Sequence, residues 1–192
     1  MNPLPLSSPQ ATLEEEIVEK LKTLQDGKNP VILVTAESCT GGLLASRITR
    51  IPGASVVYWG GVIAYANEIK SSALNVPVSV LEAHGAVSPE TAQAMAQGAL
   101  DLAQRAQLQK APPAPNPPWI VAVATTGIAG PSGGTSLKPV GLCWIGLATS
   151  DGVQITREFR GNPNETREDL QKEFSDAAFR TLLGVLNGKK NL

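Results

Sequence analysis

Three short stretches of the chain combine residue types that could do chemistry. The first is Glu37-Ser38-Cys39-Thr40-Gly41-Gly42. It sets a hydroxyl and a thiol side by side ahead of two glycines, and glycine lets a backbone approach a ligand closely. If a helix begins just after it, the free N–H groups and positive dipole end there could hold a phosphate or an oxyanion. The same residues also suit a plain helix cap at Ser38 or Thr40. Cys39 reads either as a nucleophile or as a small buried filler.

The second stretch is Tyr65-Ala66-Asn67-Glu68-Ile69-Lys70. A serine alcohol needs a base. The chain has one histidine, His84, so a Ser-His-Asp triad would depend on it alone. A lysine can serve instead if burial or a cationic neighbour lowers its pKa from about 10.4. Tyr65 could then relay a proton between Ser38 and Lys70. The competing reading makes Lys70 a solvated helix residue and Tyr65 a core ring with a wet hydroxyl.

The third stretch runs from Thr125 and Thr126 through Gly127, Gly130, Gly133 and Gly134 to Thr135. It follows an apolar strand, which is where α/β sheets place ligands. Its N–H groups could form an anion-binding nest. It is not a Walker loop, because Lys138 lacks the Gly-Lys-Ser/Thr context, and it is not a GxGxxG turn. His84 precedes a helix cap and reads as structural. Arg167 falls in the first turn of the last helix, where a cation opposes the dipole; that suits an anion contact, a subunit contact or a solvated face.

The elements that must position these residues follow from periodicity and punctuation. Thr12 and Glu15 form a capping box ahead of Leu13, Ile17, Leu21 and Leu24, predicting a helix that stops near Gly27. Val31–Val34 reads as a buried strand running into the first motif, and 43–51 as the helix after it. A β-rich stretch over 56–66 is broken by Gly60 and Gly61, predicting a bulge or bend. A short helix is expected over 67–74 with Asn67 as cap. Ser88-Pro89-Glu90 opens a long helix to about Gln107. Strands are expected at 119–125, 140–149 and 153–160, the last two joined by an Asp151-Gly152 hairpin. A final amphipathic helix spans 164–186. Alternating strands and helices with one hairpin predict an α/β domain with a mixed sheet. Residues 1–11 read as a flexible tail, 12–192 as a single domain, and 111–118 as a proline-rich loop.

Composition narrows the functional classes. The 16 basic and 17 acidic residues give a net charge of −1, with no general pull toward nucleic acid or an anionic membrane. The N-terminus lacks the basic and apolar regions of a signal peptide, and no apolar run approaches a membrane span. Cys39 and Cys143 have no zinc or redox-motif spacing, and sparse cysteine suits a reducing compartment. A cytoplasmic location is expected.

Four ordered stretches, AESCTGG, GGVIAYANEIKSSALNV, EAHGAVSPETA and TTGIAGPSGGTSLKPVGLCWIGLA, carry a specific resemblance. Over roughly residues 13–187 the chain resembles the CinA C-terminal domain family, the nicotinamide-nucleotide amidohydrolases. The resemblance implies a three-layer α/β/α fold, a homodimer or higher homo-oligomer, and deamidation of nicotinamide mononucleotide to nicotinic acid mononucleotide with release of ammonia. It implies no metal and no organic cofactor. Its nucleophile falls on Ser38, its tyrosine and lysine on Tyr65 and Lys70, and its hydroxyl at the start of the glycine loop on Thr126. Candidate substrate-binding positions are Cys39, Thr40, Gly41, Gly42, Asn67, Gly127, Gly130 and Gly133. In the implied mechanism Lys70 takes the Ser38 proton directly or through Tyr65, and N–H groups near Ser38, with Thr126, hold the oxyanion.

The chain departs from the family pattern where a Gly-Asp-Arg stretch is usual and Gly161-Asn162-Pro163 stands here. The loop around 110–118 is also longer and richer in proline. A larger N-terminal domain carried by many members is expected to be absent. The main alternative is a non-catalytic pyridine-nucleotide-binding regulatory module, which would not need Ser38, Tyr65 and Lys70 together. A hydrolase for another amide, and an interaction partner in DNA uptake or repair, are further readings.

Overall fold

The computed structural model describes residues 11–25, 29–109 and 116–189. The expected tail, apart from Ala11, the helix stop at Gly27 and most of the proline-rich loop lie outside them. Five strands form one sheet: β1 (Val31–Glu37), β2 (Tyr58–Ile63), β3 (Trp119–Gly127), β4 (Leu142–Thr149) and β5 (Gln154–Arg160). Their spatial order is β2-β1-β3-β4-β5. β1 runs parallel to both β2 and β3, whereas β3/β4 and β4/β5 are antiparallel. The sheet is therefore mixed. β1 and β3 are apolar almost throughout because both of their faces are covered.

Helices α1 (Leu13–Leu24), α2 (Leu43–Thr49) and α6 (Arg167–Gly188) bury Ile17, Leu21, Leu44, Ile48, Phe174 and Leu182 against one face. Helices α3 (Asn67–Leu74) and α5 (Pro89–Leu108) bury Leu74, Met95, Ala96 and Ala99 against the other, with α4 (Val78–His84) packed on α5. The result is the three-layer α/β/α arrangement. Small residues let α5 sit close. A β-carbon at Gly146 would stand 2.1 Å from the Ala92 carbonyl oxygen, and one at Gly98 would stand 1.9 Å from that of Leu74.

The helix starts obey their local chemistry. Thr12 and Glu15 close the expected capping box, and the Ser88 hydroxyl accepts the Thr91 N–H at 3.1 Å. The β1/β2 register shifts between Leu33 and Val34, close to the bend expected at Gly60 and Gly61. Several boundaries differ from the sequence reading. α3 is capped by Ala66, with Asn67 already inside the helix. α6 starts at Arg167, because Thr166 rather than Asn164 accepts the first free N–H, that of Asp169 at 3.2 Å. The helix α4 was not expected. It is short and none of its residues is fully buried, although Leu81 packs partly against the core. Among the described residues no helix is long and apolar enough to cross a membrane.

Candidate active site

Ser38 follows β1 directly, and its N–H extends the sheet ladder by donating to the Thr125 carbonyl at 3.0 Å. It therefore lies at the carboxyl end of the parallel strands, the usual ligand position in open α/β sheets. Lys70 reaches the same point from α3 in the opposite layer. Its Nζ lies 3.1 Å from Ser38 Oγ, 2.9 Å from the Ala64 carbonyl and 3.0 Å from the Tyr65 carbonyl. The 64–66 segment is steadied by the Ala64 N–H, which donates to the Glu37 carbonyl at 2.7 Å.

Lys70 is 1% exposed, the largest of the fully buried side chains, and Ser38 is 8% exposed. Burial lowers the Lys70 pKa, opposed by the nearby Cys39 and Glu68. This favours the neutral amine. In that form the two carbonyls engage both N–H bonds and leave the lone pair for the Ser38 hydroxyl.

The pair opens onto a cavity of about 260 Å³ walled by Cys39, Tyr65, Thr126, Gly127, Gly130 and Gly133, with Arg167 at its rim. A cis peptide joins Gly130 to Pro131 in the glycine loop. Arg167 also borders an adjoining groove of about 870 Å³ that contains Thr40, Gly41, Gly42 and Arg50. Its guanidinium donates to the Gly130 carbonyl at 2.7 Å and to the Tyr65 hydroxyl at 3.0 Å.

Several expected roles change. Tyr65 does not bridge Ser38 and Lys70: these two meet directly, Tyr65 is 61% exposed, and its hydroxyl accepts from Arg167. The Thr126 hydroxyl donates to the Ala86 carbonyl at 2.6 Å, so its proton is not offered to an oxyanion. Asn67 is exposed and lies outside the cavity wall.

The largest change concerns the start of α2, whose free N–H groups could hold a phosphate or an oxyanion, or serve a plain helix cap. The buried Glu37 carboxylate takes them instead. It accepts the N–H groups of Gly42 and Leu44 at 3.0 Å and Ala45 at 2.9 Å, and the Thr40 hydroxyl at 2.7 Å. Thr40 is thereby committed to the interior, with its Oγ1 also 2.8 Å from Thr125 Oγ1. Among the described residues, the N–H groups of Cys39 and Thr40 donate to no backbone or side-chain acceptor. Sequence reasoning missed the capping role of Glu37. An acid five residues before the N-cap, Gly42, was the available signal, but it lies outside the usual capping window. His84 sits away from this cavity, its Nδ1 3.6 Å from a Glu90 carboxylate oxygen.

A family model described as the CinA C-terminal domain matches residues 10–111 and 115–186. A CinA-like protein of Chloroherpeton thalassium is 42% identical over 177 residues, covering 91% of this chain and 37% of that protein. A putative competence-damage inducible protein of Caldanaerobacter subterraneus is 45% identical over 171 residues, 88% of this chain and 37% of that protein. The chain thus spans little more than a third of the curated relatives it matches. The solved structure of competence/damage inducible protein CihA from Agrobacterium tumefaciens superposes with a TM-score of 0.76 at 35% identity, covering 94% of this chain and 99% of that one. A CinA superfamily protein from Escherichia coli gives 0.74 at 28% identity, covering 94% of each chain. With the family model matching nearly its whole length, and the sheet order and Ser38 turn as described, the chain belongs to the CinA C-terminal domain family.

Proposed function

We propose that the chain hydrolyses the carboxamide of nicotinamide mononucleotide, giving nicotinic acid mononucleotide and ammonia. The observation that carries this reading is the buried Lys70 amine 3.1 Å from Ser38 Oγ, with two carbonyls occupying its other bonds. A lysine held in this way is a base poised on a nucleophile. Lys70 takes the Ser38 proton as Oγ attacks the carboxamide carbon. The N–H groups of Cys39 and Thr40, next in sequence to Ser38 and without an acceptor among the described residues, are the candidate donors for the oxyanion. Protonated Lys70 returns its proton to the departing ammonia, and water, activated by the same amine, then cleaves the nicotinoyl ester.

The substrate's direction follows from where positive charge stands. Glu37 neutralises the α2 start, so the phosphate lies at Arg167, between the cavity and the outer groove that Arg50 borders. The carboxamide end then points inward to Ser38. No part of this route calls on a metal, an organic cofactor, nucleic acid or a membrane. The same reading takes the working form as a homo-oligomer in the cytoplasm, and light scattering of the purified chain tests the oligomer.

Ammonia release from nicotinamide mononucleotide by the purified chain, with Ser38→Ala as control, tests the reaction. Release by the native chain that disappears in the variant supports it. Absent release with the nucleotide still bound would favour the regulatory module instead.

A further inference from the structure

The residue beside the proposed nucleophile has a partner that the hydrolysis does not use. Cys39 and Cys143 are both free thiols, both buried, and their Sγ atoms lie 3.8 Å apart. Cys39 walls the catalytic cavity and Cys143 does not, so Cys39 is the one of the pair that borders space a small oxidant can enter. Cys143 lies behind it on β4, paired with Gly127 on one side and Phe159 on the other.

We propose that this pair is a site of reversible oxidation, in which hydrogen peroxide converts the two thiols to an intramolecular disulfide that disables Ser38. Cys39 sulfur attacks one peroxide oxygen, the O–O bond breaks, and a sulfenic acid and one water result. Cys143 sulfur then attacks Cys39 sulfur, the S–O bond breaks, and the departing hydroxide takes the Cys143 proton to form a second water. Two thiols supply two electrons and peroxide accepts them. A dithiol reductant reverses the change.

The geometry says which side must move. A disulfide brings sulfurs to about 2.05 Å. Cys143 is near the start of β4 but is paired in the ladder with β3 on one side and β5 on the other, whereas Cys39 sits on a turn. One tie on that turn is the Gln171 side-chain amide, which donates to the Cys39 carbonyl at 2.8 Å. Closure therefore draws Cys39 toward the sheet, carrying its N–H and the adjoining Ser38 off line. A misplacement of about 1 Å at a reacting group can lower a rate roughly a hundredfold. The loss of catalysis rests on the proposed hydrolysis; the bond itself does not.

The test treats the native chain and Cys143→Ala with hydrogen peroxide, then reads intact mass, cross-linked peptides and ammonia release. The untreated native chain is assayed first, so that an inactive enzyme is recognised separately and the mass data still judge the bond. Expected for the native chain is a loss of about 2 Da, two hydrogens, with a peptide joining Cys39 to Cys143. Ammonia release should fall about tenfold or more and return with dithiothreitol. Cys143→Ala should show no such loss and should gain oxygen at Cys39 alone. In the native chain, retention of both thiols, oxygen addition at Cys39 without a cross-link, or a cross-link that leaves ammonia release unchanged would each overturn the proposal.

Discussion

The Arg167 guanidinium donates to the Tyr65 hydroxyl at 3.0 Å, joining the start of α6 to the segment that supplies two of the three bonds to Lys70. A cation in the first turn of a helix opposes the dipole; its bonds to Gly130 and Tyr65 hold it there, and its charge leaves room for an anion as further compensation. A substrate phosphate would provide it. Replacing Arg167 with alanine should raise KM for nicotinamide mononucleotide about tenfold to a hundredfold, the range for a lost charge-assisted hydrogen bond of roughly 1.5–3 kcal/mol. Steady-state kinetics should show kcat changing much less. An equal fall in kcat with KM unchanged would place Arg167 in the chemistry instead.

On the proposed mechanism, Lys70 sets the pH dependence. Its pKa is lowered by burial, so the active neutral amine accumulates below the pH at which an ordinary lysine deprotonates, about 10.4. kcat/KM should rise with pH through one ionisation whose midpoint lies below that value. Lys70→Arg, whose side chain stays charged, should be inactive across the range.

The same shift appears in stability. The unfolded chain holds the Lys70 proton up to about pH 10.4 while the folded chain releases it earlier, so unfolded molecules bind more protons in between. The native chain should therefore gain stability relative to Lys70→Met as pH rises from 7 toward 10. Chemical denaturation at a series of pH values measures the difference. A constant gap would mean that Lys70 titrates alike in both states.

Glu37→Gln tests the cap on α2. The amide can still accept hydrogen bonds, but one of its two terminal groups becomes a donor facing N–H groups that are donors themselves. Thermal unfolding should report a loss of about 1–3 kcal/mol, the magnitude for buried donors left unmatched. Ammonia release should fall as well, because Ser38 begins the turn that this carboxylate fixes. Unchanged stability would show that water or a shifted backbone can replace the carboxylate.

Gly98→Ala probes the seat of α3. The added carbon would meet the Leu74 carbonyl at 1.9 Å, so α3 or α5 must shift. Overpacking of this kind destabilises by about 1–3 kcal/mol. Since α3 carries Lys70, the variant should lose activity even at temperatures where it stays folded, as circular dichroism beside the ammonia assay would reveal.

Much of this was readable before any coordinates. The apolar runs at 31–34 and 119–125 announced buried strands, and Ser88-Pro89 marked the α5 start to the residue. Residue type and position leave Ser38 open as cap or nucleophile and Lys70 as base or solvated residue, and the resemblance to the CinA C-terminal domain family is what assigns them their roles. Side-chain direction around irregular turns was not readable, because no period governs it. Thus Tyr65 turned outward to Arg167, and Thr126 spent its proton on Ala86. The α2 start looked like an anion site because each feature of one was there; the anion proved to be internal. That outcome depends on a carboxylate folding back over five residues, which spacing rules for helix caps do not cover.

The proposed nucleophile and its proposed base belong to different halves of the sandwich: Ser38 enters from the strand that leads into α2, and Lys70 descends from α3 across the sheet. Neither half carries a competent group alone. A nascent chain, a proteolytic fragment or a molecule with one helical layer peeled away therefore holds a serine with no base and a lysine returned to water and to its ordinary charge. Turnover becomes an all-or-none readout of complete folding, and partly assembled molecules are chemically silent.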